Sequence, residues 1–301
     1  MRRVVVALGN FDGVHLGHRA VLRRAVEEAR VRGMRCVAAT FDPHPQAVLR
    51  PGSEPKLLTT LDVRKELLLG CGVDEVRVIP FDQGLARKRP RDFVREVLVG
   101  ELGATVVVVG ENFRFGYKAS GDVNELGRCM REAGGEAIAV PIYGLDQALG
   151  ESISSTKIRT LLSDGEAGEA ARLLGRPYSI RGEVVAGDKR GRLLGFPTAN
   201  VLPDPRAFVP GRGVYAGHVR LPGDEFYGAC TNVGVAPTFD RRDNRVEAYL
   251  LGYEGDLYGK VIDVAFVERL RPEKRFSGLD ELKAQIARDV AKARKVVEEG
   301  V

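Results

Sequence analysis

Over roughly the first 145 residues, short apolar runs alternate with stretches of helical periodicity. Val4–Leu8 is an uninterrupted apolar run of strand length. From His18 to Arg32 the apolar positions fall at Val21, Leu22, Ala25, Val26 and Ala29, a stripe with helical spacing that Gly33 stops. The same alternation predicts strands over residues 36–41, 75–81, 105–110 and 136–142, with helices over about 61–70, 90–102 and 123–133 between them. Strands separated by helices form a parallel sheet, so the expected first architecture is an α/β doubly wound parallel sheet.

Two short helices are expected over 155–162 and 166–174. Beyond Gly175-Arg176-Pro177 the period changes to strand and turn, with strands over 179–185, 213–221, 226–233, 245–251 and 260–269. With no helix between them these strands are antiparallel, and a small antiparallel β-barrel is the expected result. A last helix over about 278–298 carries the stripe Leu279, Leu282, Ile286, Val290 and Val297, and Ser277 and Asp280 have the spacing of a capping box at its start. The domains expected are 1–165 and 170–301.

Composition narrows the functions open to such a chain. At 301 residues and 44% hydrophobic it suits two globular domains. Its apolar runs are far shorter than the roughly 18 residues that cross a membrane, and Met1-Arg2-Arg3 followed by a five-residue run is no secretory leader. A cytoplasmic protein with no membrane partner is expected. Cys36, Cys71, Cys129 and Cys230 stand far apart without a Cys-x-x-Cys, which argues for buried free thiols over zinc or a redox pair. A net charge of +5 fits phosphorylated substrates and does not call for nucleic acid.

The chemistry concentrates where strands end. Residues 9–18 read Gly9-Asn10-Phe11-Asp12-Gly13-Val14-His15-Leu16-Gly17-His18 and join the first strand to the first helix. In a doubly wound sheet this turn faces the ligand crevice, and the helix start offers free N–H groups to phosphate. Gly9, Gly13 and Gly17 permit close backbone approach. His15 and His18, three residues apart, can point the same way and stabilise charge developing at phosphorus. Asp42-Pro43-His44-Pro45, the loop Gly110-Glu111-Asn112-Phe113-Arg114-Phe115-Gly116 and the helix start Ser154-Ser155-Thr156-Lys157-Ile158-Arg159 follow later strands. Ser155 and Thr156 can cap that helix or, with Lys157 and Arg159, hold a triphosphate. Phe115 can pack in the core or cover a planar ring.

The His-x-Gly-His spacing resembles the signature of the nucleotidylyltransferase superfamily, and the longer string from Asn10 to His18 is similar to the start of the bifunctional bacterial FAD synthetases. That resemblance implies a nucleotidylyltransferase-like sheet that adenylylates FMN. It assigns His15 and His18 to catalysis, Gly9, Phe11, Gly17, Ser155, Thr156 and Arg159 to nucleotide binding, and Asp42, Pro43, Asn112 and Phe115 to flavin binding.

Residues 187–200, Gly187-Asp188-Lys189-Arg190-Gly191-Arg192-Leu193-Leu194-Gly195-Phe196-Pro197-Thr198-Ala199-Asn200, form a basic, glycine-rich loop between strands that could fold over phosphates. No Walker Gly-x4-Gly-Lys-Ser/Thr pattern occurs in the chain. Gly195-Phe196-Pro197-Thr198-Ala199-Asn200 resembles the riboflavin kinase domain of the same enzymes. The resemblance implies ATP binding by Gly187, Gly191, Gly195, Pro197, Thr198 and Asn200, with Mg²⁺ at Thr198 and Asn200, where oxygen ligands suit that ion. It makes Glu247 the base that takes the proton of the ribityl hydroxyl, a fitting task for a carboxylate, and puts Arg271 near flavin. The chain departs from the family pattern at Ala236, where a basic residue is usual, and at Gly252, where Asp is.

The function expected is therefore ATP-dependent phosphorylation of riboflavin to FMN followed by adenylylation of FMN to FAD, with riboflavin, FMN, FAD and ATP as the partners. The His-x-Gly-His motif alone also permits a nucleotidylyltransferase for another phosphorylated small molecule, and a basic barrel can bind single-stranded nucleic acid. The string 195–200 and Glu247 argue against the first. The scarcity of aromatics and the mild charge argue against the second.

Overall fold

The computed structural model describes residues 3–141, 153–187, 191, 195–235 and 244–299. The chain separates into two compact units, Met1–Ser155 and Thr156–Val301.

The first unit is the doubly wound sheet. Strands β1 (Val4–Leu8), β2 (Arg35–Asp42), β3 (Glu75–Pro80), β4 (Ala104–Gly110) and β5 (Glu136–Val140) lie parallel in the order β3-β2-β1-β4-β5. β1 is buried along its whole length because both faces of the sheet are covered. On one face Val5 and Ala7 pack against Val21, Leu22 and Ala25 of helix α1 (Leu16–Arg32). On the other, Val4, Val6 and Leu8 meet Phe93, Val97 and Leu98. Gly33 ends α1 in the left-handed conformation, as its position predicts. The expected helix over 90–102 is less regular: a turn at Pro90–Asp92 runs into a π-helical stretch, Phe93–Glu101. Residue 142, at the end of the fifth expected strand, lies outside the described residues.

The second unit opens with helices α2 (Ser155–Asp164) and α3 (Ala167–Leu174). Its barrel is closed by six antiparallel strands, one more than the sequence suggested. They are β6 (Tyr178–Val185), β7 (Ala199–Pro203), β8 (Gly213–Arg220), β9 (Phe226–Val235), β10 (Asn244–Leu250) and β11 (Val261–Arg271), in the circular order β10-β7-β6-β11-β8-β9. The additional strand is β7. It is five residues long, follows a glycine-rich loop and ends on proline, so nothing local marks it. Pairing with β6 on one side and β10 on the other makes it a strand. Tyr178, Tyr215 and Phe266 fill the barrel core with rings 5.3–6.3 Å apart.

Helix α4 (Leu279–Glu299) packs Val290, Ala293 and Val296 on Val214, Ala216 and Cys230 of β8 and β9. Two expectations for it need correction. Leu279 is 70% exposed and stands outside the packed stripe. The cap pairs Ser277 with Glu281, whose carboxylate accepts from the Ser277 backbone N–H and hydroxyl at 3.0 and 2.8 Å; Asp280 takes no part in it.

Cys36, Cys129 and Cys230 are buried and unbridged, and Cys71 is half-buried. Burial pushes the Cys36 and Cys230 thiols up to about 12. Among the described residues no helix is long and apolar enough to cross a membrane.

Candidate active sites

The turn after β1 is built from backbone that most side chains resist. Phe11 and Val14 both adopt positive φ, at 50° and 42°. What holds them is a set of buried polar contacts. Asp12 accepts from the Thr59 N–H at 3.1 Å, and the Gly13 N–H donates to the Thr59 hydroxyl at 3.0 Å. Thr40, at the end of β2, donates to the Asn10 carbonyl at 2.9 Å. Arg64, 1% exposed, reaches the Thr40 hydroxyl and the Phe41 and Thr59 carbonyls, each at 3.3 Å. It ties the turn, β2 and the segment before the 61–69 helix together. Neither Thr59 nor Arg64 stands out in the sequence: Thr59 lies in the loop before the helix, and a polar residue such as Arg64 in an amphipathic helix ordinarily faces water.

The turn delivers two imidazoles. His15 caps α1, its Nδ1 accepting from the His18 N–H at 3.2 Å, and the two rings stack with centroids 3.5 Å apart. Phe11 meets His18 edge-on at 5.4 Å, and Gly9 runs beneath the Phe11 ring, which a Cβ would approach to 3.1 Å. Burial, then the neighbouring His15 and the Arg64 guanidinium, push the His18 imidazole well below its ordinary value. At neutral pH it is therefore an uncharged ring with one N–H to donate. Gly17 is buried in the first turn of α1.

The Ser155 hydroxyl, at the end of the first unit, donates to the Asp12 carbonyl at 2.9 Å. On α2 itself Arg159 donates to the Thr156 hydroxyl at 3.3 Å. Asp42 and Pro43, joined by a cis peptide, end β2 at the rim, and Asn112 is exposed in the loop after β4. Phe115 presents no open ring. It is 7% exposed, stacks on Phe113 at 5.6 Å, and packs so closely on Gly121 that a Cβ there would come within 2.7 Å. Its ring anchors the loop, and any contact it makes with a ligand is limited to what the loop's outer edge leaves accessible.

On the barrel, β10 alternates cleanly. Val246, Ala248 and Leu250 are buried, while Arg245, Glu247 and Tyr249 share the other face. Glu247 pairs in register with Asn200 of β7 and Asn232 of β9, which places a carboxylate between two amides in one row. Arg245 bridges two members of that row. Its Nε and Nη2 both donate to Asn200 Oδ1 at 3.1 Å, and Nη2 lies 2.9 Å from Glu247 Oε1. The loop leading to β7 closes on the same place. The Phe196 N–H donates to the Gly191 carbonyl, a Cβ on Gly191 would lie 3.3 Å from Thr198 Oγ1, and the Phe196 ring meets Tyr249 edge-on at 5.5 Å. Gly187 touches the Asn200 side chain directly, since a Cβ there would fall 2.2 Å from its Nδ2.

Gly187, Gly191, Thr198, Asn200 and Glu247 are thus one cluster, and Gly195 and exposed Pro197 belong to the same loop. Arg245 and Asn232 join them without having been singled out, although the two-residue spacing from Arg245 to Glu247 already put both on one strand face. Arg271 of β11 lies in the same register row, next to Val214 of β8, which pairs with Asn232. Its guanidinium forms a forked pair with Asp289 of α4, at 2.8–3.1 Å, and donates to the Pro272 carbonyl. It is a strut between strand and helix. Ala236 lies outside the described residues, as do 188–190 and 192–194. Gly252 has φ 74°, a left-handed turn position where glycine and aspartate are both tolerated better than most residues.

Comparison with known proteins follows this division of the chain. The family model for FAD synthetase matches residues 1–157 and that for riboflavin kinase matches 174–297, which defines a two-headed enzyme of flavin nucleotide synthesis. The bifunctional riboflavin kinase/FMN adenylyltransferases of Escherichia coli K12 and Bacillus subtilis 168 are 40% and 36% identical over 97% and 96% of this chain, covering 92% and 91% of theirs. A solved structure described as a macrolide-efflux protein from Streptococcus pneumoniae superposes with a TM-score of 0.88 at 32% identity, covering 97% of this chain and 94% of that one. The chain belongs to the bifunctional riboflavin kinase/FMN adenylyltransferase family. It phosphorylates riboflavin to FMN with ATP and adenylylates FMN to FAD.

Proposed function

We propose that the two reactions are divided between residues 1–165 and 170–301, with the stacked imidazoles serving adenylylation and the β7–β10 cluster serving phosphorylation. The observation that carries this division is the placement of Glu247 between Asn200 and Asn232 on one barrel face, with Gly187 against the Asn200 side chain.

In the kinase reaction Glu247 accepts the proton of the ribityl 5′-hydroxyl as that oxygen attacks the γ-phosphorus of ATP, and ADP leaves. Gly187, Gly191, Gly195 and Pro197 shape the backbone that lies along the phosphates. Thr198 and Asn200 offer the hydroxyl and amide oxygens of a Mg²⁺ site, and by donor type they fit that ion. Bound there, Mg²⁺ would neutralise charge on the β- and γ-phosphates.

In the adenylyl transfer an FMN phosphate oxygen attacks the α-phosphorus of ATP and pyrophosphate leaves, so no protein nucleophile is needed. His18, held neutral, donates a hydrogen bond to the charge that develops at the α-phosphate, and His15 fixes its ring. Gly9, Phe11 and Gly17 line the nucleotide, with Ser155, Thr156 and Arg159 toward its outer phosphates. Asp42, Pro43 and Asn112 meet the flavin, with Phe115 holding the loop that carries Asn112. The protein works in the cytoplasm without nucleic acid or membrane as partner.

The test is an end-point assay with riboflavin, ATP and Mg²⁺, the flavins being separated by chromatography. The wild-type chain forms FAD through transient FMN. His18→Ala accumulates FMN, with FAD formation reduced roughly 10²–10³-fold. Glu247→Gln slows riboflavin phosphorylation about 10²–10⁴-fold and still converts supplied FMN to FAD. A fully active Glu247→Gln enzyme puts the base elsewhere, and unchanged adenylylation in His18→Ala removes that residue from the chemistry.

A further inference from the structure

The Asn200 amide oxygen has two lone pairs, and both N–H bonds that Arg245 directs at it arrive from one guanidinium. The same guanidinium lies against Glu247, so one fixed positive charge spans the residue assigned to the metal and the residue assigned to the base. Both side chains of that ion pair are largely buried, 22% and 23% exposed, which weakens screening by water. A divalent cation cannot take the Asn200 oxygen while Arg245 fills it. The hydrogen bonds occupy the lone pairs, and two cations on one oxygen repel.

We propose that Arg245 is a resident cation of the kinase site, holding Asn200 and Glu247 together in the metal-free enzyme and leaving Asn200 when Mg²⁺ enters with the nucleotide. The inference rests on the assignment of Asn200 to the metal. Arg245 is a positioning residue here: it acts through the Asn200 and Glu247 side chains that it bridges. Its presence makes metal loading a competition. The ion gains Asn200 only at the expense of two charge-assisted hydrogen bonds, and the guanidinium, released from Asn200, stays paired with Glu247 and orients its carboxylate. In this arrangement a carboxylate flanked by amides is never left without a counter-charge, whichever cation is present.

The experiment is titration calorimetry on the full-length enzyme with ADP in the absence and presence of Mg²⁺, applied to Arg245→Met, Arg245→Lys and Asn200→Ala, with the Mg²⁺ concentration at half-maximal riboflavin phosphorylation as a second readout. FMN adenylylation serves as the control for folding. Removing the competing cation in Arg245→Met should tighten Mg²⁺-dependent ADP binding roughly tenfold and lower the Mg²⁺ requirement by a similar factor, while metal-free ADP binding changes little. Arg245→Lys keeps the charge without the planar fork and should fall between Met and the wild type. If Arg245→Met binds Mg²⁺ and ADP no more tightly than the wild type while phosphorylation slows, Arg245 is a strut for Glu247 alone and the inference fails. If Asn200→Ala leaves Mg²⁺-dependent ADP binding unchanged, the metal assignment itself fails, which the Arg245 variants alone would not reveal.

Discussion

A single imidazole shows how far burial can set chemistry. His18 sits three residues after a helix cap, beside a second ring and near a buried guanidinium. All three surroundings disfavour the charged form, so its folded-state affinity for a proton lies below that of the unfolded chain, where the ordinary value is 6.5. The sign of the pH effect follows. Above about pH 6.5 the residue is neutral in both states and costs nothing. Below it the unfolded chain takes up a proton that the folded chain refuses, so stability falls as pH falls, by up to about 1.4 kcal/mol per pH unit for one such group. Thermal unfolding between pH 6.5 and 5 should therefore lose less stability in His18→Gln than in the wild type. Identical slopes would mean that the ring charges as freely folded as unfolded. In the role proposed for His18, the same depression makes the neutral ring the donor, so the protonated ring is not the form to look for in the pH profile of adenylylation.

At the scale of elements, what could be read ahead of the structure was what repeats or what punctuates. The helical stripe over Val21–Ala29, the stop at Gly33 and the strand alternation around Glu247 are local patterns, and each lies in the folded element it predicts. β7 is not local: Asn200 and Val201 become strand only because β6 and β10 flank them. Phe115 and Arg271 show what residue type and resemblance leave out: each also has a packing role, in a ring stack and in a buried ion pair with Asp289. Arg64 and Arg245 were hidden for a related reason: an arginine in a helix or on a strand has no signal until its acceptors are placed around it. The glycines of the 187–200 loop had a signal, and the structure supplies the reason for one of them. Gly187 lies so close to Asn200 that any side chain would displace the amide. Gly187→Ala should consequently lower riboflavin phosphorylation by about 10-fold or more, because a small misplacement of a positioning group is costly, while FMN adenylylation stays at the wild-type rate. Equal loss of both activities would indicate a folding defect in place of a displaced Asn200.

For the whole molecule, the two clusters lie in separate compact units, each with its own hydrophobic core. No residue of the imidazole turn is part of the β7–β10 row, and the row contributes none to the turn. On the division proposed above, FMN is the product of one cluster and the substrate of the other, and its phosphate is the group that both handle. If the clusters act independently, the intermediate need not stay on one chain. Mixing His18→Ala, expected to keep riboflavin phosphorylation, with Glu247→Gln, expected to keep FMN adenylylation, should then restore FAD formation from riboflavin, although each variant alone should form little. The rate in the mixture should rise with the concentration of the Glu247→Gln partner until its adenylylation of free FMN becomes limiting, and should match that obtained when the same FMN is supplied directly. Failure of the mixture to make FAD, with FMN accumulating in solution at wild-type levels, would mean that the adenylylating unit does not accept FMN released by another chain, and that the two reactions are coupled by something other than diffusion.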